Sequence, residues 1–433
     1  MKISGWGRYP LVEAEIEELR YSSVLKHGAD GSVQCIARGL GRSYGDSSLA
    51  ARIVLTPSSN RILSFDGATG ELTCEAGMSL DEIVKILLPR GWFPEITPGT
   101  RYVTVGGAIA SDVHGKNHHR CGCFSESVRS FRLLLPDGSI VGCSRDENIE
   151  LFRATCGGMG LTGIILDATV RLQPVRSAFI EQQTFAAANL DEALAFFQEQ
   201  SDWAYSVAWI DCLASGKQLG RSILMVGRHA REGALYLGQK RKISVPFSLP
   251  GIFLHRYTVS AFNALYYSRK ARSAGESSLV DFNSFFYPLD ALENWNRIYG
   301  RSGFVQYQFV LPLESSRQGL MEVLAKISQS GQGSFLAVLK LFGPGNENYL
   351  SFPREGYTLA LDFKITGSLF VLLDELDTIV TAYGGRLYLT KDARMKPGML
   401  RSGYPRLDRF LDIRKKISAA GMFESRQSIR LGI

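Results

Sequence analysis

The chain lacks any apolar run long enough to cross a bilayer. Its most apolar stretch, 243–254, is interrupted by Pro246 and Pro250, whereas a spanning helix needs roughly 20 apolar residues. The opening MKISGWGRYPLVEAEIEELR has no apolar signal-peptide core. The seven cysteines form no paired framework, and Cys121 and Cys123 stand too close for an easy disulfide. Free thiols in a reducing compartment are therefore expected. No GK[ST] follows a glycine loop, which excludes a Walker-type phosphate loop. Neither a helix-turn-helix signal nor an RNA-type aromatic motif is present, so no nucleic-acid partner is expected. Internal repeats and low-complexity tracts are also missing.

What remains is a globular composition, 45% hydrophobic and 21% charged, over 433 residues. That length suits roughly two to three domains. A net charge of +7 is modest for this size but suits an anionic partner such as a phosphate or an acidic lipid surface.

The organising stretch is 98–119, PGTRYVTVGGAIASDVHGKNHH, which holds three of the six histidines. So many small residues bury little side-chain area, and the Gly106-Gly107 pair lets backbone approach a large flat group. Upstream, RGLGRSYGD at 38–46 places Gly39, Gly41 and Gly45 beside Arg38 and Arg42. Glycine-loop amides supported by arginine make an anion nest suited to a diphosphate. The two stretches read as a clamp on one extended, phosphate-bearing cofactor.

Local patterns predict a weak helix over 11–21 and strands over 32–37, 52–56, 61–65 and 71–75. Ser79 and Glu82 form a capping box for a helix over 80–88, stopped by Pro89. Pro136-Asp137-Gly138 predicts a hairpin between 128–135 and 139–143. A short helix over 150–154 precedes a strand over 163–172, and the clearest late helix covers 408–417. Composition shifts near Pro174 to a more aromatic chain. Residues 228–272, basic and apolar with poor periodicity, read as a mobile cap or surface loop.

Gly158-Met159-Gly160-Leu161-Thr162-Gly163 is a literal GxGxxG. A dinucleotide fold needs that motif after a strand and before a helix; here the order is reversed, so the Rossmann reading fails. His114, His118 and His119 with Asp112, Cys121 and Cys123 make a poor zinc set, because Gly115 and Asn117 disfavour a helix and CxC is not a usual spacing. No metal is expected. Gln306 and Gln308 share one face of a strand and suggest a pocket that binds hydroxyls. In 388–392, read as a strand, Tyr388 and Thr390 face one way and Lys391 the other. Lys391 beside Asp392 also fits a solvated ion pair, and Lys340 in an apolar strand is equally ambiguous.

RGLGRSYGD, PGTRYVTVGGAIASDVHGKNHH and CGGMGLTGII resemble the FAD-binding domain of vanillyl-alcohol-oxidase-type flavoenzymes. FYPLD, WNRIYG, GFVQYQFVLP, VLKLFGPGN, GYTLALDF and GGRLYLTKDAR extend the likeness to the decaprenylphosphoryl-ribose 2′-oxidase family. It runs from GWGR at 5–8 to the C-terminal helix. The resemblance implies an α+β, two-domain PCMH-type fold: a FAD-binding domain over 1–175, an antiparallel-sheet substrate domain over 176–384 that includes the 228–272 loop, and a segment over 385–433 returning to the FAD domain. FAD would be non-covalent, because Arg42 stands where covalent relatives keep histidine and no cysteine lies near Arg101.

By the same resemblance, Ala37, Arg38, Gly39, Leu40, Gly41, Arg42, Ser43, Tyr44, Gly45, Asp46 and Ser47 wrap the FAD diphosphate. Gly99, Thr104, Val105, Gly106, Gly107, Ser111, Asp112, Val113, His114 and Ile164 line its adenine, ribityl and flavin portions, and Tyr388 approaches from the substrate side. Lys391 matches the family's essential lysine; Tyr44, His114, Gln306, Gln308 and Lys340 match its pocket residues. Ala360 replaces the family's inhibitor-reactive cysteine, so a thiol-directed covalent inhibitor loses its target. Phe286 and Thr358 replace a pocket tyrosine and asparagine.

The implied reaction oxidises the 2′-hydroxyl of a polyprenylphosphate-linked pentose, with a short-chain NAD(P)H-dependent keto-reductase completing an epimerisation. The alternative is a FAD-dependent oxidase of a soluble sugar or alditol. Basic residues over 228–272, interleaved with Phe247, Ile252, Phe253 and Tyr257, would face the membrane surface. Peripheral association with its cytoplasmic face is expected, with the periplasm as the alternative.

Overall fold

The computed structural model describes residues 1–19, 34–236, 238, 243–248, 255–334 and 336–433. Among the described residues three larger sheets, beside two two-stranded pairs, carry an α+β architecture. The smallest of the three is parallel, with Arg52–Leu55 between Glu15–Glu18 and Cys35–Arg38. The weak helix expected over 11–21 is instead two strands, Leu11–Glu13 paired with Lys2–Ser4 and Glu15–Glu18 paired with Arg52–Leu55. Val12 and Ala14 are buried while Leu11, Glu13 and Glu15 are exposed, and that period of two is a strand's. Residues 20 and 21, like 32 and 33 of the next expected strand, lie outside the described residues.

The second sheet is antiparallel. Its order is Ile140–Ser144, Val128–Leu134, Ile164–Pro174, Glu71–Glu75 and Ile62–Asp66, with Trp92–Pro94 paired to the far end of Ile164–Pro174. The expected hairpin forms around Gly138, whose φ of +85° a side chain would resist. Helix Leu80–Leu87 starts at the expected capping box: Glu82 N donates to Ser79 Oγ, and Ser79 N donates to Glu82 Oε2 at 2.8 Å. Its buried Leu80, Ile83 and Leu87 join the core of this sheet.

The third sheet has eight strands, all antiparallel. Their order is Ser277–Asp281, Phe179–Ala187, Ser222–His229, Tyr205–Ile210, Ala337–Phe342, Gly356–Lys364, Phe304–Pro312 and Arg386–Leu387. Alternation divides its two faces. Tyr307, Phe309, Leu339, Leu359 and Leu361 pack into one core with Leu320, Val323 and Leu324 of helix Leu313–Ser330 and with Leu372, Leu373 and Leu376 of helix Leu369–Ala382. Gln306, Gln308, Val338, Lys340, Thr358 and Ala360 point the other way, into a cavity.

Within 228–272 the described residues are more regular than expected. Arg256–Ala271 is a helix, and Ile243–Ser244 pairs with Leu292–Glu293. The helix is held by a narrow edge: Asn263 Nδ2 donates to Asp211 Oδ1 at 2.7 Å, and Tyr266 lies 4.7 Å from the Trp209 ring. So thin a buried stripe explains the poor periodicity. The rest of the expected loop, 237, 239–242 and 249–254, including Ile252 and Phe253, lies outside the described residues. The late helix is Leu407–Lys416, close to expectation.

Candidate active site

A cavity of about 330 Å³ lies between the glycine stretches and the polar face of the eight-stranded sheet. The two glycine stretches meet on its wall. A Cβ on Gly39 would fall 2.3 Å from Thr104 Oγ1, so only glycine permits that approach. Thr104 also caps the short helix Val105–Ala110, accepting from Gly107 N at 3.1 Å. Gly99 borders open space, with nothing within 4 Å of where its Cβ would stand.

Of the expected cofactor residues, Ala37, Gly39, Leu40, Gly41, Arg42, Ser43, Tyr44, Ser47, Gly99, Thr104, Gly106, Gly107, Ser111, Val113, His114 and Tyr388 line the cavity. Arg38, Gly45, Asp46, Val105, Asp112 and Ile164 do not, and each has another place. Arg38 reaches back to Ser4 O at 2.7 Å and to Ser48. Gly45 packs backbone to backbone, its Cβ position 1.9 Å from Asp392 O. Asp46 binds Arg430. Val105 and Ile164 are core residues of two separate clusters. Asp112 accepts from Asn346, Asn348, Ser351 and the Ser125 amide, fixing the loop behind His114.

The expected catalytic residues converge. Tyr44, His114, Gln306, Gln308, Lys340 and Lys391 all line the cavity. Lys391 does so against its strand expectation. The strand ends at Leu387, and the chain turns as Lys391 N donates to Tyr388 O at 3.0 Å. The turn puts Tyr388, Thr390 and Lys391 on one wall. Asp392 is likewise no solvated partner of Lys391; it is buried and paired with Arg430 at 2.8 Å.

Lys391 Nζ sits 4.0 Å from the centre of the Tyr44 ring. Burial pulls the lysine down to about 7, opposed by the charge of Asp362 and reinforced by Lys340. Lys340 falls to about 8 through burial. Asp362, directly opposite Gln306 on the neighbouring strand, accepts from Gln306 Nε2 at 2.6 Å, and burial raises it to about 7. Gln308 Nε2 donates to His114 Nε2 at 3.0 Å and to Thr358 Oγ1 at 3.3 Å. Burial and Lys340 hold His114 well below its ordinary range, so it is a neutral acceptor. Burial, with Asp362 nearby, keeps the Tyr44 phenol protonated.

Sequence reasoning overlooked Trp6, Lys116, Asp290 and Trp295, which also line the cavity. The GWG of 5–7 was the available signal. Trp6 N and Gly7 N donate to Ser43 O and Tyr44 O, and the Arg42 guanidinium lies 4.0 Å above the Trp6 ring. Phe286, Thr358 and Ala360 all line the cavity, and no cysteine does among the described residues.

The donor set fits a flavin dinucleotide. Three buried lysines line the cavity; Lys116 donates to Phe285 O, and neither Lys340 nor Lys391 has a carboxylate within ion-pair distance among the described residues. Such cations need an acceptor-rich partner, and the glycine walls admit a flat one. Among the described residues no cluster suits a metal, and no helix is long and apolar enough to cross a membrane.

Comparison with known proteins gives the same answer. An FAD-binding-domain family matches residues 17–144; with the oxidase relative that follows, it makes the chain an FAD-dependent oxidoreductase of the PCMH-type fold. A decaprenylphosphoryl-β-D-ribose oxidase of Mycolicibacterium smegmatis is 36% identical over 99% of this chain and 97% of its own length. The chain belongs to that oxidase family. More distantly, mouse L-gulonolactone oxidase is 24% identical over 84% of this chain and 81% of its own length.

Proposed function

We propose that the chain oxidises the 2′-hydroxyl of a polyprenylphosphoryl-ribose to the 2′-ketone, the first half of an epimerisation to an arabinose donor. The convergence of Lys391, Tyr44, His114, Gln306, Gln308 and Lys340 on one cavity carries this reading, together with the near full-length relation to a decaprenylphosphoryl-β-D-ribose oxidase. The segment over 37–47 would hold the FAD diphosphate, with Arg42 close by. The segments over 99–107 and 111–114 would line the rest, without covalent attachment. Bound FAD supplies the hydride acceptor.

The chain's own residues then handle the hydroxyl and its proton. Gln306 and Gln308 orient sugar hydroxyls from the sheet. Lys391, neutral in part near pH 7 because of burial, takes the hydroxyl proton on Nζ and afterwards opposes negative charge. Lys340 adds positive potential from Ala337–Phe342, two strands across the same sheet face. The buried walls exclude water.

The domain division near residue 175 belongs to the same reading. One sheet strand ends at Pro174 and the eight-stranded sheet begins its run at Phe179, while the 385–433 segment returns through Arg430 to Asp46. Residues 233–275 contain seven Lys or Arg and no Asp or Glu. Tyr257, Phe262 and Leu265 are exposed on the helix there. That face suits peripheral binding to an anionic membrane, on the cytoplasmic side given seven free cysteines. A ketone product calls for a separate NAD(P)H-dependent keto-reductase.

The test is anaerobic bleaching of the flavin on adding polyprenylphosphoryl-ribose. Wild type should bleach, and Lys391→Ala should slow the step by about 10²–10⁴-fold, the range for a lost general base. Bleaching by a free alditol or aldose alone would favour the soluble-substrate reading.

A further inference from the structure

Lys391 and Tyr44 come from loops far apart in the chain, yet their side chains meet at 4.0 Å. Tyr44 N donates to Thr390 O at 3.1 Å, and Gly45 packs on the Asp392 carbonyl. Behind this seam stands one side chain from the helix Arg426–Leu431. Arg430 Nη2 lies 2.8 Å from Asp46 Oδ1 and 2.8 Å from Asp392 Oδ2, and Nε donates to Asp46 at 3.2 Å. Its Nη1 donates to Met395 O at 2.6 Å. Both carboxylates are buried, 6% and 1% exposed, against 26% for the arginine. Asp392 Oδ1 in turn receives the amides of Arg394 and Met395, and Gln427 from the same helix holds Leu389 O at 2.7 Å. None of these groups lines the cavity except through the loops they hold.

We infer that Arg430 is a positioning residue for the reaction. It clamps the loop bearing Lys391 onto the loop bearing Tyr44 and so sets where the lysine ammonium stands over the ring. The bidentate fork suits this task, since guanidinium geometry fixes two carboxylates at once. This rests on the proposed role of Lys391. The groups facing Lys391 are Asp362 and Lys340 from the sheet, His114 and Tyr44 across the cavity, and Asp392, Asp46 and Arg430 behind its turn. Removing the guanidinium leaves the two carboxylates behind Lys391 unneutralised, which favours the charged lysine.

The test compares flavin-loaded wild type, Arg430→Gln and Arg430→Lys. Thermal unfolding and flavin absorbance measure folding and loading. The rate of flavin reduction by polyprenylphosphoryl-ribose is followed against pH. Independently of any substrate, trace acylation of Lys391, quantified by peptide mass spectrometry across pH, gives its titration midpoint. Arg430→Gln, corrected for flavin content, should lower the limiting rate by up to about 10²-fold, the loss that a misplacement near 1 Å produces, with little change in KM. It should also move the Lys391 midpoint upward, and Arg430→Lys should recover part of both. An unchanged Lys391 midpoint with a loss no greater than the loss of flavin would overturn the clamp. Should wild type fail to oxidise the lipid-linked ribose while the midpoint still shifts, the clamp stands and the substrate assignment falls.

Discussion

At the scale of single residues, the site rests on side chains whose burial works against their charge. Lys391 and Asp362 are both drawn toward about 7, the lysine down and the carboxyl up, each by burial first. A lysine acting as base must be neutral, so flavin reduction should rise with pH through about 7 and level above it. Stopped-flow reduction across pH checks this; a rate independent of pH would remove the base role. Because Asp362 titrates in the same range, the observed midpoint belongs to the pair. Linkage gives the two groups opposite stability slopes. Between the unfolded carboxyl value of 3.8 and about 7 the folded chain binds the extra proton on Asp362, and stability falls as pH rises. From about 7 to 10.5 the unfolded chain binds the extra proton on Lys391, and stability rises. The Gln306 and Gln308 pair was legible in the sequence, because strand alternation is a local rule. The direction of Lys391 was not, since a turn begins one residue after the strand ends. Nor was the partner of Asp392, which lies 38 residues away on a helix.

At the scale of elements, legibility followed local chemistry. The capping box at Ser79, the Pro-Asp-Gly hairpin and the long strand leading to Pro174 carry their signals within a few residues. The helix expected over 11–21 did not form, because pairing of Leu11–Glu13 with Lys2–Ser4 and of Glu15–Glu18 with Arg52–Leu55 outweighs a weak helix propensity. Arg256–Ala271 escaped notice because its buried edge is only Val259 and Asn263, with Tyr266 half-buried. Ser79→Ala removes an oxygen that satisfies an otherwise orphaned amide of helix Leu80–Leu87. It should cost about 1 kcal/mol, read by denaturant unfolding, with flavin binding retained.

At the scale of the whole molecule, charge is segregated. Setting aside the seven cations of 233–275 leaves 42 Lys and Arg against 42 Asp and Glu, so the excess resides in one tenth of the chain. Such a segment should bind anionic lipid vesicles and release them as salt rises, since the screening length is only about 10 Å at 0.1 M. Co-sedimentation with anionic and zwitterionic vesicles checks it. Reversing Arg269, Lys270 and Arg272 to glutamate should abolish the difference, and equal binding to both vesicle types would sink the idea.

The bond between Arg430 and Asp46 spans 384 residues of sequence. Closing so long a loop costs entropy before any contact repays it, and chains dominated by such pairings fold slowly. On the proposed clamp, competence to react therefore depends on a contact between two segments that the sequence keeps far apart.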